Sequence, residues 1–232
     1  MGRIYGLMGA MDEEIELLLS AMTEASETIK TGITYTTGVI HGQQVVVCKS
    51  GVGKVNAAVT TQILIDRFGV EQIIFTGVAG AVHPDLNIGD IVISSTCMQH
   101  DMDVTALGYA KGVIPYQDTS EFAADPELVR LAEQACKSFD DRYIVGKVLS
   151  GDQFVASREL VALLRQEMNG ACTEMEGAAV AQTAHMNNVP FIVIRSMSDK
   201  ADGSAHVNYA EFTVEASHRS HRIVEYMLKH LG

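Results

Sequence analysis

Residues 171–181 read ACTEMEGAAVA, with two glutamates set in a stretch that is otherwise small and apolar. Such a stretch suits burial, and a buried carboxylate is costly unless something pairs with it. Glu174 and Glu176 therefore call for a partner or a ligand. Similar groups recur along the chain. Asp12, Glu13 and Glu14 follow Gly9-Ala10, and Thr76-Gly77-Val78-Ala79-Gly80 ends an apolar run. KVLS ends in Ser150, followed by Gly151-Asp152, and PFIVIRSMSD carries Arg195, Ser198 and Asp199. Acids, one arginine and glycine turns of this kind are the groups of a polar ligand site.

Taken singly, each has an ordinary reading. Three acids after Gly9-Ala10 suit a helix N-terminus, where the macrodipole favours each by ~0.3–1 kcal/mol. Asp199 also reads as a helix N-cap. TGVAG alone is only a turn. SGVGKVN invites a phosphate-loop reading, but Cys48 stands where the first glycine should be and Val55 where Ser or Thr should be. It fails as a Walker motif.

The elements that position these groups alternate between short β-branched runs and helical patterns. RIYGLMGA reads as a first strand, followed by a helix from Asp12 with Ile15, Leu18 and Leu19 on one face. GITYTTGVIHGQQVVVCKS alternates at period two around His41-Gly42-Gln43 and reads as a hairpin. Helices are expected over KVNAAVTTQILIDRF, near 125–139, near 158–168, over 178–187 and at the C-terminus. Strands are expected in QIIFTGVAGAV, IGDIVISST, YIVGKVLSGDQFV, ACTEMEG and PFIVIRSMSD. Strands apolar on both faces and separated by helices imply a sheet covered on both sides. The fold class expected is α/β: a three-layer α/β/α sandwich with a mixed central sheet. In such sheets ligands bind beyond the carboxyl ends of the strands. Five strand ends then present their polar groups to one rim.

A length of 232 residues fits one domain spanning 1–232. The net charge of −12 argues against nucleic acid, which needs a basic face. No apolar run approaches a membrane span, and the acidic turn after the first strand does not read as a signal peptide. Four scattered cysteines without metal-binding spacing read as buried free thiols of a reducing cytoplasm. His206, His218, His221 and His230 lie on or near the last helix without carboxylate or cysteine partners at useful spacing, so no metal is expected.

Seven segments occur in order over nearly the whole chain: GAMDEEIELL, SGVGKVNAA, TGVAGA, HDMDVTALGY, SGDQFV, TEMEGAAVAQ and RSMSDKAD. Together they resemble the bacterial 5′-methylthioadenosine/S-adenosylhomocysteine nucleosidases of the nucleoside phosphorylase superfamily. The resemblance implies hydrolysis of an adenine nucleoside's N-glycosidic bond, without cofactor, by a homodimer. It implies that Glu14 activates the attacking water and that Asp199, beside Ser198, protonates the purine. Glu176 would grip the ribose hydroxyls, Met175 would lie on the sugar, and Arg195 would orient acids and sugar. Phe154 would stack on adenine while the Val155 backbone reads its edge. Val52, Leu107, Pro115 and Tyr209 would form an apolar mouth, with Leu107, Tyr109 and Pro115 supplied by a neighbouring subunit. Glu174 faces either the same cavity or a structural partner.

The chain also departs from the family pattern. Val78 stands where many members carry serine, Leu107 replaces a common aromatic, and Tyr209 takes a place often held by Phe. A 5′-deoxyadenosine or futalosine-type substrate stays open. So do two other readings: a phosphate-dependent phosphorylase and a non-catalytic adenine-nucleoside-binding protein. Acids and no arginine after the first strand disfavour phosphate, and retention of both Glu14 and Asp199 disfavours mere binding.

Overall fold

A computed structural model describes residues 2–200 and 205–231, with the side chains of 205–211 outside the description. Ten strands form one mixed sheet: β1 (Ile4–Gly9), β2 (Thr23–Lys30), β3 (Ile33–Ile40), β4 (Gln43–Lys49), β5 (Gln72–Ala81), β6 (Ile91–Gln99), β7 (Phe122–Ala123), β8 (Tyr143–Ser150), β9 (Gly170–Glu174) and β10 (Phe191–Asp199). Among the described residues six α-helices cover it: α1 (Asp12–Ser20), α2 (Lys54–Phe68), α3 (Pro126–Ser138), α4 (Arg158–Met168), α5 (Gly177–Met186) and α6 (Ala205–His230).

The strand path is β10-β6-β8-β9-β5-β1-β4-β3-β2, and β10 pairs with β5 as well. That extra pairing closes β5, β10, β6, β8 and β9 into a ring, while β1, β4, β3 and β2 continue as an open extension. The ring's last seam is short, just Gly80↔Thr173 and Ala81↔Cys172 between β5 and β9.

Period-two alternation sends neighbours along each strand to opposite faces. Leu7, Ile74 and Ile192 pack with Ile15 and Leu18 of α1, Leu128 of α3 and Ile223 of α6. Met8, Phe75 and Val193 pack with Ala57 and Leu64 of α2 and Ala178 and Ala181 of α5. Helices on both faces of a mixed sheet make the expected three-layer sandwich.

Helix limits follow local chemistry. Ser157 accepts from the Leu160 N–H at the start of α4, and Asn169 ends it in the left-handed region at φ 54°. Asp125 caps α3 with Pro126 behind it. Gly53 at φ 98° and Gly69 at φ 65° bracket α2.

Three features differ from the sequence expectation. TGVAG is not a turn, because β5 runs through it to Ala81. Arg195 lies within β10, four residues before its end. β2, exposed along its whole length, gives no hydrophobic face by which to read it.

Candidate active site

The C-terminal ends of β1, β5, β8, β9 and β10 meet around a cavity of about 240 Å³. Its walls are Ala10, Met11, Glu14, Val52, Val78, Ala79, Gly80, Gln153, Phe154, Val155, Thr173, Glu174, Met175, Glu176, Ser198 and Asp199. Of the expected site residues, Glu14, Val52, Val78, Phe154, Val155, Glu174, Met175, Glu176, Ser198 and Asp199 are thus brought together. Arg195 lies beneath them. Leu107 and Pro115 are not part of this wall in their own chain, and the Tyr209 side chain lies outside the described residues.

Glu14 sits in the first turn of α1, 4 % exposed. Its Oε2 accepts from the N–H groups of Ala10 at 2.6 Å and Met11 at 3.0 Å, and its Oε1 accepts from Val78 N–H at 2.9 Å. The helix-terminus role is therefore real, since Glu14 reaches back to the residue that precedes the helix. The bond to β5 goes beyond that role. Burial raises its pKa against the pull of the Arg195 charge and the three N–H donors. Gly77 makes the close approach possible, because a Cβ there would overlap the Glu14 carboxylate and stand 2.5 Å from Arg195 Nη1. This is why β5 carries glycine in mid-strand.

Glu174 answers to a structural partner while lining the cavity. Its Oε2 is 2.5 Å from Arg195 Nη2, and its Oε1 accepts from Ser150 Oγ. Gly177 N–H donates to both oxygens, at 3.0 and 2.8 Å, so the carboxylate also seats the N-terminus of α5. Arg195, 1 % exposed, is sandwiched between that carboxylate and the Phe75 ring, 4.0 Å from its centroid. Among the described residues its Nε and Nη1 have no hydrogen-bond acceptor.

Glu176 starts α5 and is buried. Its Oε1 accepts from Gly53 N–H at 2.8 Å, and its Oε2 lies 4.0 Å from Arg195 Nη2. Burial first, and then the nearby Glu174 charge, push its pKa up to about 8. Gly53 belongs to the segment that fails as a Walker motif. The loop does open a helix with a glycine N–H aimed at an oxygen acceptor, and the acceptor is the Glu176 carboxyl. Ser198 Oγ donates to Asp199 Oδ2 at 3.0 Å, and both are buried where β10 breaks register against β5. Phe154 is 47 % exposed at the rim and Val52 50 % exposed.

Sequence reasoning missed Ser150 and Gly53 as contacts of the two glutamates, and Gly77 as the opening that admits Glu14. Gly53 carried a signal, as the glycine just before a helix in SGVGKVN, whereas nothing in TGVAG told the role of Gly77 from that of a turn. All four cysteines are free and buried. Among the described residues no cluster of three or more His, Cys, Asp or Glu is placed to hold a metal, and no helix is long and apolar enough to cross a membrane.

Residues 4–229 match the family model of the phosphorylase superfamily. A 5′-methylthioadenosine/S-adenosylhomocysteine nucleosidase of Bacillus cytotoxicus is 41 % identical over 227 residues, covering 97 % of this chain and 98 % of that protein. The crystal structure of the S-adenosylhomocysteine nucleosidase of Streptococcus pyogenes with 5-methylthiotubericidin superposes with a TM-score of 0.96 at 38 % identity, covering 100 % and 99 % of the two chains. The futalosine hydrolase of Helicobacter pylori superposes with a TM-score of 0.95 at 33 % identity, covering 99 % and 98 %. The chain belongs to the phosphorylase superfamily and, within it, to the 5′-methylthioadenosine/S-adenosylhomocysteine nucleosidases, which are N-ribosyl hydrolases.

Proposed function

We propose that this protein hydrolyses the N-glycosidic bond of 5′-methylthioadenosine and S-adenosylhomocysteine, releasing adenine and a 5-thio-substituted ribose. The observation that carries the reading is Glu14, a buried carboxylate with a raised pKa, held by three backbone N–H groups in the same cavity as Asp199. Bond breaking develops oxocarbenium character on the sugar and negative charge on the departing base. One carboxyl must activate water while another delivers a proton to the leaving group. Glu14 is assigned the first task and Asp199, with Ser198, the second.

Glu176 binds the ribose hydroxyls, Met175 lies against the sugar, and Arg195 holds Glu174 and Glu176 in place. Phe154 stacks on adenine and the Val155 backbone reads its edge. Phosphate is the poorer nucleophile here. The cavity wall carries Glu14, Glu174, Glu176 and Asp199, and Arg195 is already engaged by Glu174. A phosphate dianion entering such a wall finds Glu174 already holding the guanidinium beside it, and it would compete with the carboxylate that must take up a proton.

Val52 and Val78 give the cavity apolar surface suited to a thioether. Leu107, 72 % exposed on its own chain, fits a role at a second subunit's mouth together with Tyr109 and Pro115, and Tyr209 completes the apolar mouth of this reading. The working protein in this reading is a cytoplasmic homodimer of single-domain chains acting in methionine salvage. The direct test is incubation with 5′-methylthioadenosine, S-adenosylhomocysteine, 5′-deoxyadenosine or futalosine, each with and without phosphate. Adenine and methylthioribose formed at a phosphate-independent rate support the reading. A sugar 1-phosphate product overturns it.

A further inference from the structure

Beside the cavity, three charged residues that take no part in the chemistry above form a closed ring of side-chain and backbone bonds. Asp101 follows β6, Lys54 opens α2, and Asp152 follows β8. Asp101 Oδ1 is 2.6 Å from Lys54 Nζ, and its Oδ2 accepts from the Asp152 N–H at 2.9 Å. Asp152 Oδ1 in turn accepts from the Lys54 backbone N–H at 2.8 Å. Lys54 Nζ also donates to Gln99 Oε1 at 2.9 Å. Lys54 and Asp101 are each about four-fifths buried, at 18 % and 23 % side-chain exposure, so this is not a solvated surface pair. Burial alone would raise the Asp101 pKa, yet the Lys54 ammonium and the Asp152 N–H hold it below the usual carboxylate range.

The ring joins two segments that the site needs at a fixed spacing. One residue before Lys54, Gly53 donates its N–H to Glu176. Two residues after Asp152 stands Phe154. The approach is close: a Cβ on Gly53 would lie 3.1 Å from Asp152 Oδ1. On the far side, a Cβ on Gly151 would strike the buried His100 ring at 2.5 Å.

We propose that Asp101 is a positioning residue, fastening the Gly53–Lys54 segment to the Asp152–Phe154 segment and so fixing the sugar-binding acid relative to the adenine platform. The proposal rests on the nucleosidase reading for its kinetic consequence but not for its structural one. Misplacement of binding groups by about 1 Å costs up to ~10²-fold in rate, so loss of a clasp between two such groups reaches kinetics without touching substrate.

The test compares wild type with Asp101→Ala, Lys54→Met, Lys54→Arg and the double variant Asp101→Ala/Lys54→Met. It reads kcat and KM for 5′-methylthioadenosine, Tm, and amide hydrogen exchange over residues 50–56 and 150–155. Asp101→Ala and Lys54→Met should each lower kcat/KM about tenfold, mostly through KM, and the double variant should lose no more than either. Lys54→Arg should retain most of the activity. Exchange should rise in both segments together, although neither contains residue 101. Unchanged kcat/KM with exchange raised in neither segment overturns the proposal. So does a loss carried wholly by a lowered Tm. Wild type that cleaves no adenine nucleoside, with exchange still raised in both segments of Asp101→Ala, would sink the nucleosidase reading and leave the clasp standing.

Discussion

The floor of the cavity and its mouth are built differently. At the floor Glu14 has three backbone donors, Glu174 has Arg195, Ser150 and the start of α5, and Glu176 has Gly53. At the mouth, Phe154 and Val52 present large apolar side chains to solvent. Polar groups must be oriented before they act, because a buried charge without partners is expensive and a drifting one does no chemistry. Apolar surface needs no orientation, only cover. A floor finished within the chain and a mouth left open fit a ligand, and on our reading a second copy, closing from outside.

This contrast makes graded predictions. Asp199→Asn should lower kcat by ~10²–10⁴-fold while nucleoside binding persists, since one general acid is removed. Single-turnover adenine release measures it, and a loss below tenfold would remove Asp199 from the acid role. Glu174→Ala leaves Arg195 buried beside Phe75 without its close carboxylate and should cost ~3–5 kcal/mol of stability. A thermal melt within a degree of wild type would show that the floor does not depend on this pair.

Phe154→Ala belongs to the mouth and should act differently. Losing a base-stacking ring worth ~1–3 kcal/mol should raise KM about tenfold or more and leave Tm nearly unchanged. A fall in Tm with KM constant would assign the ring to packing instead.

The contrast also predicts a pH dependence. Glu176 has a folded-state pKa of about 8, above the unfolded carboxyl's ~4.3. The folded state therefore holds this proton more tightly. The contribution to stability is full below about pH 4 and is lost as pH rises through about 8. Ligand-free Glu176→Gln should show a shallower decline of Tm between about pH 5 and 8 than wild type. Parallel curves would argue against the raised value.

Much of this was legible in the chain. The expected α2 and α4 match the observed bounds, with a left-handed glycine or asparagine ending each. The acids at the ends of β1, β9 and β10 were visible because charge in an apolar run is conspicuous. What escaped lacked such a signal. β2 is exposed on both faces, so its one large apolar residue, Ile29, sets no alternation, and β7 is two residues long. TGVAG looked like a turn because two glycines usually mean one, whereas Gly77 is there to clear space for a side chain 63 positions earlier in sequence. Whether Glu174 faced a ligand or a partner depended on where Arg195 lay across the sheet, and a strand pattern carries no such coordinate.

The central claim is that Glu14 serves as the base and is not merely a helix-terminus acid. The measurement is turnover and binding of 5′-methylthioadenosine by Glu14→Gln, which preserves an acceptor oxygen at the floor but cannot take a proton. The account predicts adenine release reduced to background with nucleoside affinity within a few-fold of wild type. Turnover near the wild-type rate would leave Glu14 a structural residue and contradict the account.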